Sequence, residues 1–356
     1  MWFASDNAGP AHPSVIAALS RANEGHAASY GAEAAMGRVT AALRALFEAP
    51  EAAVYLVATG TAANALALAC LAPPWGAVHC HREAHVAVDE CGAPEFYTGG
   101  AKLVLMEGAH GRIDPEDLAA ALAGAAPRGV HGVQNAALSL TNATEAGTVY
   151  APAQIAALAE VARAQGMAVH LDGARLANAL AHLGCSPAEL TWKAGVDALS
   201  FGGTKNGLVG VEAVILFDPA RAWEFELRRK RGGHLFSKHR YLSAQMEAYL
   251  EGDLWRDLAR CANARATALA QGLAALDCVR LFHPTEANLV MAAAPRRVHR
   301  ALRAAGAVYG FWPHELPMEG PEEEMLPARF ACNWATSEAE VAQLVALTAA
   351  AAGARG

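Results

Sequence analysis

From residue 54 onward, short apolar runs of β-prone residues alternate with longer stretches of helical period. The runs lie at 54–58 (VYLVA), 77–81 (AVHCH), 102–106 (KLVLM), 136–140 (AALSL), 167–171 and 198–201. Helical patterns at 62–71, 86–91, 114–124, 151–166, 174–183 and 187–194 separate them. This alternation predicts an α/β fold with a mostly parallel, doubly wound sheet. In DPEDLAAALAG, Asp114 is the expected N-cap and Pro115 the first helical residue. Ahead of the alternation, residues 1–13 read as an extended arm. Helical periods at 13–23 and 33–47 follow, split by a glycine-bearing loop at 25–31. Near Gly252 the pattern changes. A long helical stretch at 254–276 precedes short strands at 279–282, 288–291, 308–311 and 329–333, with helices at 296–304 and 337–351. The expected organisation is an arm (1–14), a large α/β domain (15–250) and a small α+β C-terminal domain (251–356).

Composition narrows the class. With 54% hydrophobic and 18% charged residues in 356, the chain is expected to be compact and globular. A formal net charge of −7 weighs against nucleic acid or an anionic membrane as partner. The basic run 228–231, extended by Lys238 and Arg240, reads as a solvated helix face or a local phosphate contact. The N-terminus has no basic leader followed by an apolar core, and no stretch is long and apolar enough to span a bilayer. Seven scattered cysteines, an odd number, fit reduced thiols and a cytoplasmic protein.

The chemistry concentrates between residues 167 and 207. The run 167–171, the helical stretch after it and the run 198–201 make a βαβ unit, with parallel strands and a right-handed crossover. Asp172 then sits at the carboxyl end of one strand and Lys205 just past the carboxyl end of the next. Both face the sheet edge where open α/β folds bind ligands. Either residue alone reads as a helix cap or a solvated lysine. Together they suit pyridoxal 5′-phosphate, which needs a lysine for a Schiff base and a carboxylate to keep its pyridine nitrogen protonated.

Other positions fit the same site. Thr59-Gly60-Thr61 follows a strand and opens a helix, where free N–H groups and the helix dipole hold phosphate; an ordinary capped turn is the plainer reading. His85 and Asp89 are four apart, so Asp89 can orient the imidazole from one helical face. Cys80, His81, His85 and Cys91 match no compact zinc spacing, and no metal is expected. Arg175 stands near a helix N-terminus, where the dipole gives a cation nothing, so an anionic partner is expected. Arg329 is placed at the start of a strand, and either arginine can clamp a carboxylate.

Taken together, Ser5-Asp6-Asn7, TGTAAN, EAHVAVDE, SLTNATEAGTVY, HLDGAR and SFGGTKNG resemble the threonine aldolase family of fold type I pyridoxal-phosphate enzymes, in its low-specificity L-threonine aldolase branch. The resemblance covers nearly the whole chain. It implies that Lys205 is the Schiff-base lysine, Asp172 the pyridinium partner, His85 the ring-stacking imidazole, and Thr59, Gly60 and Thr61 the phosphate turn. It implies that Ser5, Arg175 and Arg329 hold the substrate carboxylate, with Asp89 beside them, and that His131 lies near the β-hydroxyl. Lys238 or Arg240 would reach the cofactor phosphate of a neighbouring subunit in a homo-oligomer, a dimer or tetramer.

The implied reaction is retro-aldol cleavage of L-threonine, L-allo-threonine and related β-hydroxy-α-amino acids to glycine and an aldehyde. A phenylserine- or serine-preferring aldolase, another fold type I lyase or an aminotransferase is the alternative on the same lysine and aspartate. A catalytically silent cofactor-binding regulator is disfavoured by the intact Lys205, Asp172 and Arg329.

Overall fold

The computed structural model describes residues 1–125 and 129–353. Seven strands form the larger sheet: β1 (Ala53–Val57), β2 (Gly76–His81), β3 (Lys102–Met106), β4 (Gln134–Thr141), β5 (Ala168–Gly173), β6 (Ala198–Gly202) and β7 (Glu212–Leu216). Their order is β1-β7-β6-β5-β4-β2-β3. Pairing is parallel from β6 through β3, while β7 runs antiparallel to both β6 and β1. Every residue of β2, β6 and β7 is buried, as expected of strands covered on both faces. The helix Gly60–Leu71 is apolar around its whole circumference and is buried from Ala62 to Leu71.

Six of these strands lie at or close to the positions expected from the apolar runs. The seventh, β7, was not anticipated. It follows β6 after a loop too short for a helical crossover, so only antiparallel pairing is open to it. Its first residue, Glu212, therefore lands beside Gly202 and Val57, at the edge where the parallel strands end. The Asp114 cap is present, its Oδ1 accepting the N–H of Glu116 at 2.8 Å. Within the basic run, Arg229 is buried with its guanidinium over the Tyr55 ring, so that position is a packed cation rather than part of a solvated face.

The second sheet, β8 (Arg280–Leu281), β9 (Leu289–Pro295), β10 (Gly310–Phe311) and β11 (Met325–Ala331), is antiparallel in the order β10-β11-β9-β8. The helices Leu254–Ala274, Arg296–Ala304 and Glu338–Gly353 contribute to its apolar core. Arg329 lies inside β11, opposite Met291 and Gly310, and not at the strand start. Pro327 masks the strand in the sequence, because proline removes a ladder donor.

The N-terminal arm is extended but docked. The N–H of Phe3 donates to the Val308 carbonyl at 2.7 Å, and the Phe3 carbonyl accepts from Ala331 at 2.8 Å. The Phe3 ring is fully buried in the second core. Among the described residues, no helix is long and apolar enough to cross a membrane.

Candidate active site

A cavity of about 410 Å³ opens at the carboxyl edge of the larger sheet. Thr59, Gly60, Thr61, His85, Asp172 and Lys205 all line it, although they come from four separate segments of the chain. Asn7, Asn64, Asp89 and Glu212 complete its polar wall.

Asp172 is nearly the last residue of β5 and is buried. Its Oδ2 accepts from the Asn64 amide at 2.8 Å and its Oδ1 from the N–H of Ala174 at 3.0 Å. Lys205 occupies a 3-10 turn, Thr204–Asn206, that Gly207 closes at a φ of 94°. The neighbouring Asn206 anchors the turn, donating at 2.7 Å to both the Tyr249 hydroxyl and the Trp255 carbonyl. Gly202 has no room for a side chain, since a Cβ there would stand 2.3 Å from the Ala174 carbonyl oxygen. That close approach is what brings the Asp172 and Lys205 turns together.

Thr59 caps the helix Gly60–Leu71. Its Oγ1 accepts from Ala62 at 3.2 Å and its carbonyl from Ala63 at 3.1 Å. Gly60 and Thr61 are then first-turn residues at the positive end of the dipole, a ready phosphate cup.

His85 opens a single helical turn, His85–Val88. Its Nδ1 pairs with Glu90 Oε1 at 2.8 Å, while its Nε2 is 3.5 Å from Asp89 Oδ2. The expectation that Asp89 orients the ring is corrected here. The helix ends before Asp89, whose side chain is 79% exposed, and the buried Glu90 takes the role. The same Glu90 oxygen accepts from Asn64 Nδ2 at 2.9 Å. One hydrogen-bonded chain thus links Asp172, Asn64, Glu90 and His85. The bond to Glu90 raises the His85 pKa, and burial raises that of Glu90. Neither Asn64 nor Glu90 was singled out from the sequence. Asn64 had a readable signal, being four residues after Gly60 on one helical face.

Arg175 has the anionic partner its position called for, but the partner is internal. Its Nε and Nη2 donate to the two oxygens of Asp6 at 2.7 and 3.1 Å, and Nη1 lies 3.9 Å from Glu145. Burial by itself would raise the Asp6 pKa, but the Arg175 and Lys205 cations hold the carboxyl below its ordinary value. Removing one member of a buried pair typically costs about 3–5 kcal/mol, so this contact locks the arm over the sheet edge. Arg175 was expected to help hold a substrate carboxylate; two of its three nitrogens are here engaged by Asp6. Ser5 is turned to local work, its Oγ accepting from the N–H of Asn7 at 3.1 Å, and Asn7 lines the cavity.

Arg329 is in the opposite state. It lines an adjoining cavity of about 300 Å³ together with His85, Asp89, Glu83, Glu145 and Trp312. The guanidinium lies over the Trp312 ring at 5.6 Å, and its Nε is buried without a hydrogen-bond acceptor. Burial and the nearby Arg175 both lower its pKa. An arginine held in this way can accept an incoming anion as its partner.

The structure does not bring the remaining candidates to this edge. His131 is exposed in the turn Gly129–His131, at the amino end of β4 and so at the opposite edge of the sheet. Lys238 is exposed, and Arg240 donates to the Gly25 carbonyl at 3.0 Å. Among the described residues, no cluster of three metal-ligating side chains occurs.

A family described as Beta-eliminating lyase matches residues 3–295. The low specificity L-threonine aldolase of Pseudomonas aeruginosa is 41% identical over 345 residues, covering 96% of this chain and 95% of its own. That of Pseudomonas sp. (strain NCIMB 10558) is 39% identical, covering 97% and 96%. The solved Leishmania major threonine aldolase superposes with a TM-score of 0.90 at 26% identity, over 99% of each chain. With its lysine, aspartate and phosphate turn gathered in one cavity of this fold, the chain belongs to the threonine aldolases of the beta-eliminating lyase family.

Proposed function

We propose that this protein is a low-specificity L-threonine aldolase that cleaves L-threonine, L-allo-threonine and related β-hydroxy-α-amino acids to glycine and an aldehyde, with pyridoxal 5′-phosphate as cofactor. One observation carries this reading: Lys205, Asp172 and the Thr59–Gly60–Thr61 turn share a cavity that opens beside the unpaired guanidinium of Arg329. The residues fit the cofactor. Gly60 has open space where a side chain would sit, leaving room at the phosphate cup, and Asp172 presents a buried carboxylate whose two partners are both donors.

When bound, the cofactor supplies an electron sink for the Cα–Cβ bond. Lys205 would hold it through its side-chain amine. Asp172, oriented by Asn64, would keep the pyridine nitrogen protonated. Arg329 fixes the substrate carboxylate and so aims the Cα–Cβ bond. His85, with Nδ1 tied to Glu90, keeps Nε2 as the atom that takes the β-hydroxyl proton, directly or through a water it holds.

An aminotransferase for dicarboxylic acids would need a second free arginine. Arg175 is committed to Asp6, which favours a substrate with one carboxylate. The exposed Lys238 is available to another copy, in keeping with a homo-oligomer, a dimer or tetramer whose sites adjoin the interface; the seven free thiols suit a cytoplasmic setting.

Both threonine isomers should yield glycine and acetaldehyde without added keto acid, and glycine with benzaldehyde should condense in reverse. Amino transfer to a keto acid, with no glycine released from threonine, phenylserine or serine, would overturn the aldolase reading. Arg329→Leu should raise KM for threonine on the order of 10²-fold, the loss of a charge-assisted clamp, while the cofactor spectrum stays unchanged. Unchanged kinetic constants would remove Arg329 from the site.

A further inference from the structure

Glu212 lines the same cavity as Lys205 and Thr59–Gly60–Thr61 but has no part in the steps above. The antiparallel β7 puts it there, paired with Gly202, three residues before Lys205, and with Val57, two before Thr59. The residue is only 6% exposed. Its Oε2 accepts the Gly203 N–H at 2.6 Å, and Thr204 also bonds to the carboxyl. The titratable and charged groups around it are Lys205 from the turn and Asp172 from β5. Tyr249 faces it from the helix Arg240–Leu250, and Arg229 approaches the Leu56 carbonyl from the helix Ala222–Arg231. Burial outweighs the Thr204 and Gly203 hydrogen bonds and the pull of Lys205, and pushes Glu212 up to about 7.

A carboxylate that shares a cavity with a phosphate cup and a lysine is electrostatically awkward once the cup is filled. The phosphate brings negative charge into the same cavity, and a lysine committed to a carbonyl offers less cation to offset it. Resting on the cofactor assignment above, we propose that Glu212 is the proton-holding residue of the cofactor site. Loading a phosphorylated cofactor moves one proton from solvent onto its carboxyl, which then stays neutral and keeps the Lys205 turn clamped through Gly203.

The sign follows from linkage. The loaded site binds the proton more tightly than the empty one, so affinity falls as pH rises from about 7 towards the loaded-state pKa, by at most about tenfold per pH unit. Below that window the carboxyl is protonated in both states and the dependence disappears.

Pyridoxine 5′-phosphate carries the phosphate but no aldehyde, so it tests loading without reaction at Lys205. Calorimetry at about pH 8, in two buffers of different ionisation enthalpy, should show wild type taking up as much as about one proton more than Glu212→Gln. Glutamine still accepts from Gly203, which separates the proton from the clamp. Equal uptake by the two proteins overturns the role of Glu212 and leaves the cofactor reading standing. Failure of both to bind overturns the two together. Should Glu212→Gln not fold, infrared difference spectra of wild type labelled with ¹³C-glutamate decide: a protonated-carboxyl band appearing on binding supports the proposal, and its absence overturns it.

Discussion

Lys205→Ala is expected to cut turnover on the order of 10⁴-fold, because on the proposed function the same amine anchors the cofactor and moves protons during release. The fold should survive. The turn that carries Lys205 is held by Asn206 on Tyr249 and Trp255 and by the left-handed backbone at Gly207, none of which involves the lysine side chain. Far-ultraviolet dichroism and Tm should therefore match wild type, while the borohydride-reducible cofactor adduct disappears. Retention of that adduct at wild-type level would show that another amine carries the cofactor.

Asp172→Asn should leave the cofactor bound and reduce kcat on the order of 10²-fold or more, the usual cost of removing one preorganised charge from a buried site. The side-chain oxygen of asparagine can accept from Asn64 or from Ala174 but not from both, so the variant loses one of the two hydrogen bonds together with the charge that would keep the pyridine nitrogen protonated. A kcat within about twofold of wild type would mean that the electron sink does not depend on this residue.

The two variants also separate parts of the site that were unequally visible in the sequence. Asp172 and Lys205 were legible because each ends an apolar run in one βαβ unit, and parallel strands of such a unit finish at the same edge. Thr59–Gly60–Thr61 was legible for a similar reason, a strand followed at once by a capped helix. Arg175 and Arg329 looked equivalent, since nothing local tells a committed arginine from a free one. Their difference depends on Asp6, about 170 positions away, which the docked arm brings onto Arg175. His85 was legible as a site residue, but its orienting partner was misassigned. A helix of ordinary length would put Asp89 on its face, whereas the actual helix stops after one turn and turns Glu90 inward. His131 stood close to site motifs in sequence, yet it precedes β4, whereas Asp172 and Lys205 come at or after the ends of their strands.

By itself, the sequence determined the strand and helix alternation, the parallel sheet and the edge at which a lysine and an aspartate meet. These follow from local periodicity and from the fixed handedness of βαβ units, which need no knowledge of distant residues. Tertiary structure alone decided which charges are paired. Burial makes each ionic side chain depend on a partner from another segment, so Asp6 claimed Arg175, Arg329 was left open, and Glu90 took the imidazole of His85. It also decided the direction of β7, where a short loop set Glu212 into the wall of the cavity and gave a residue with no sequence signal a place at the site.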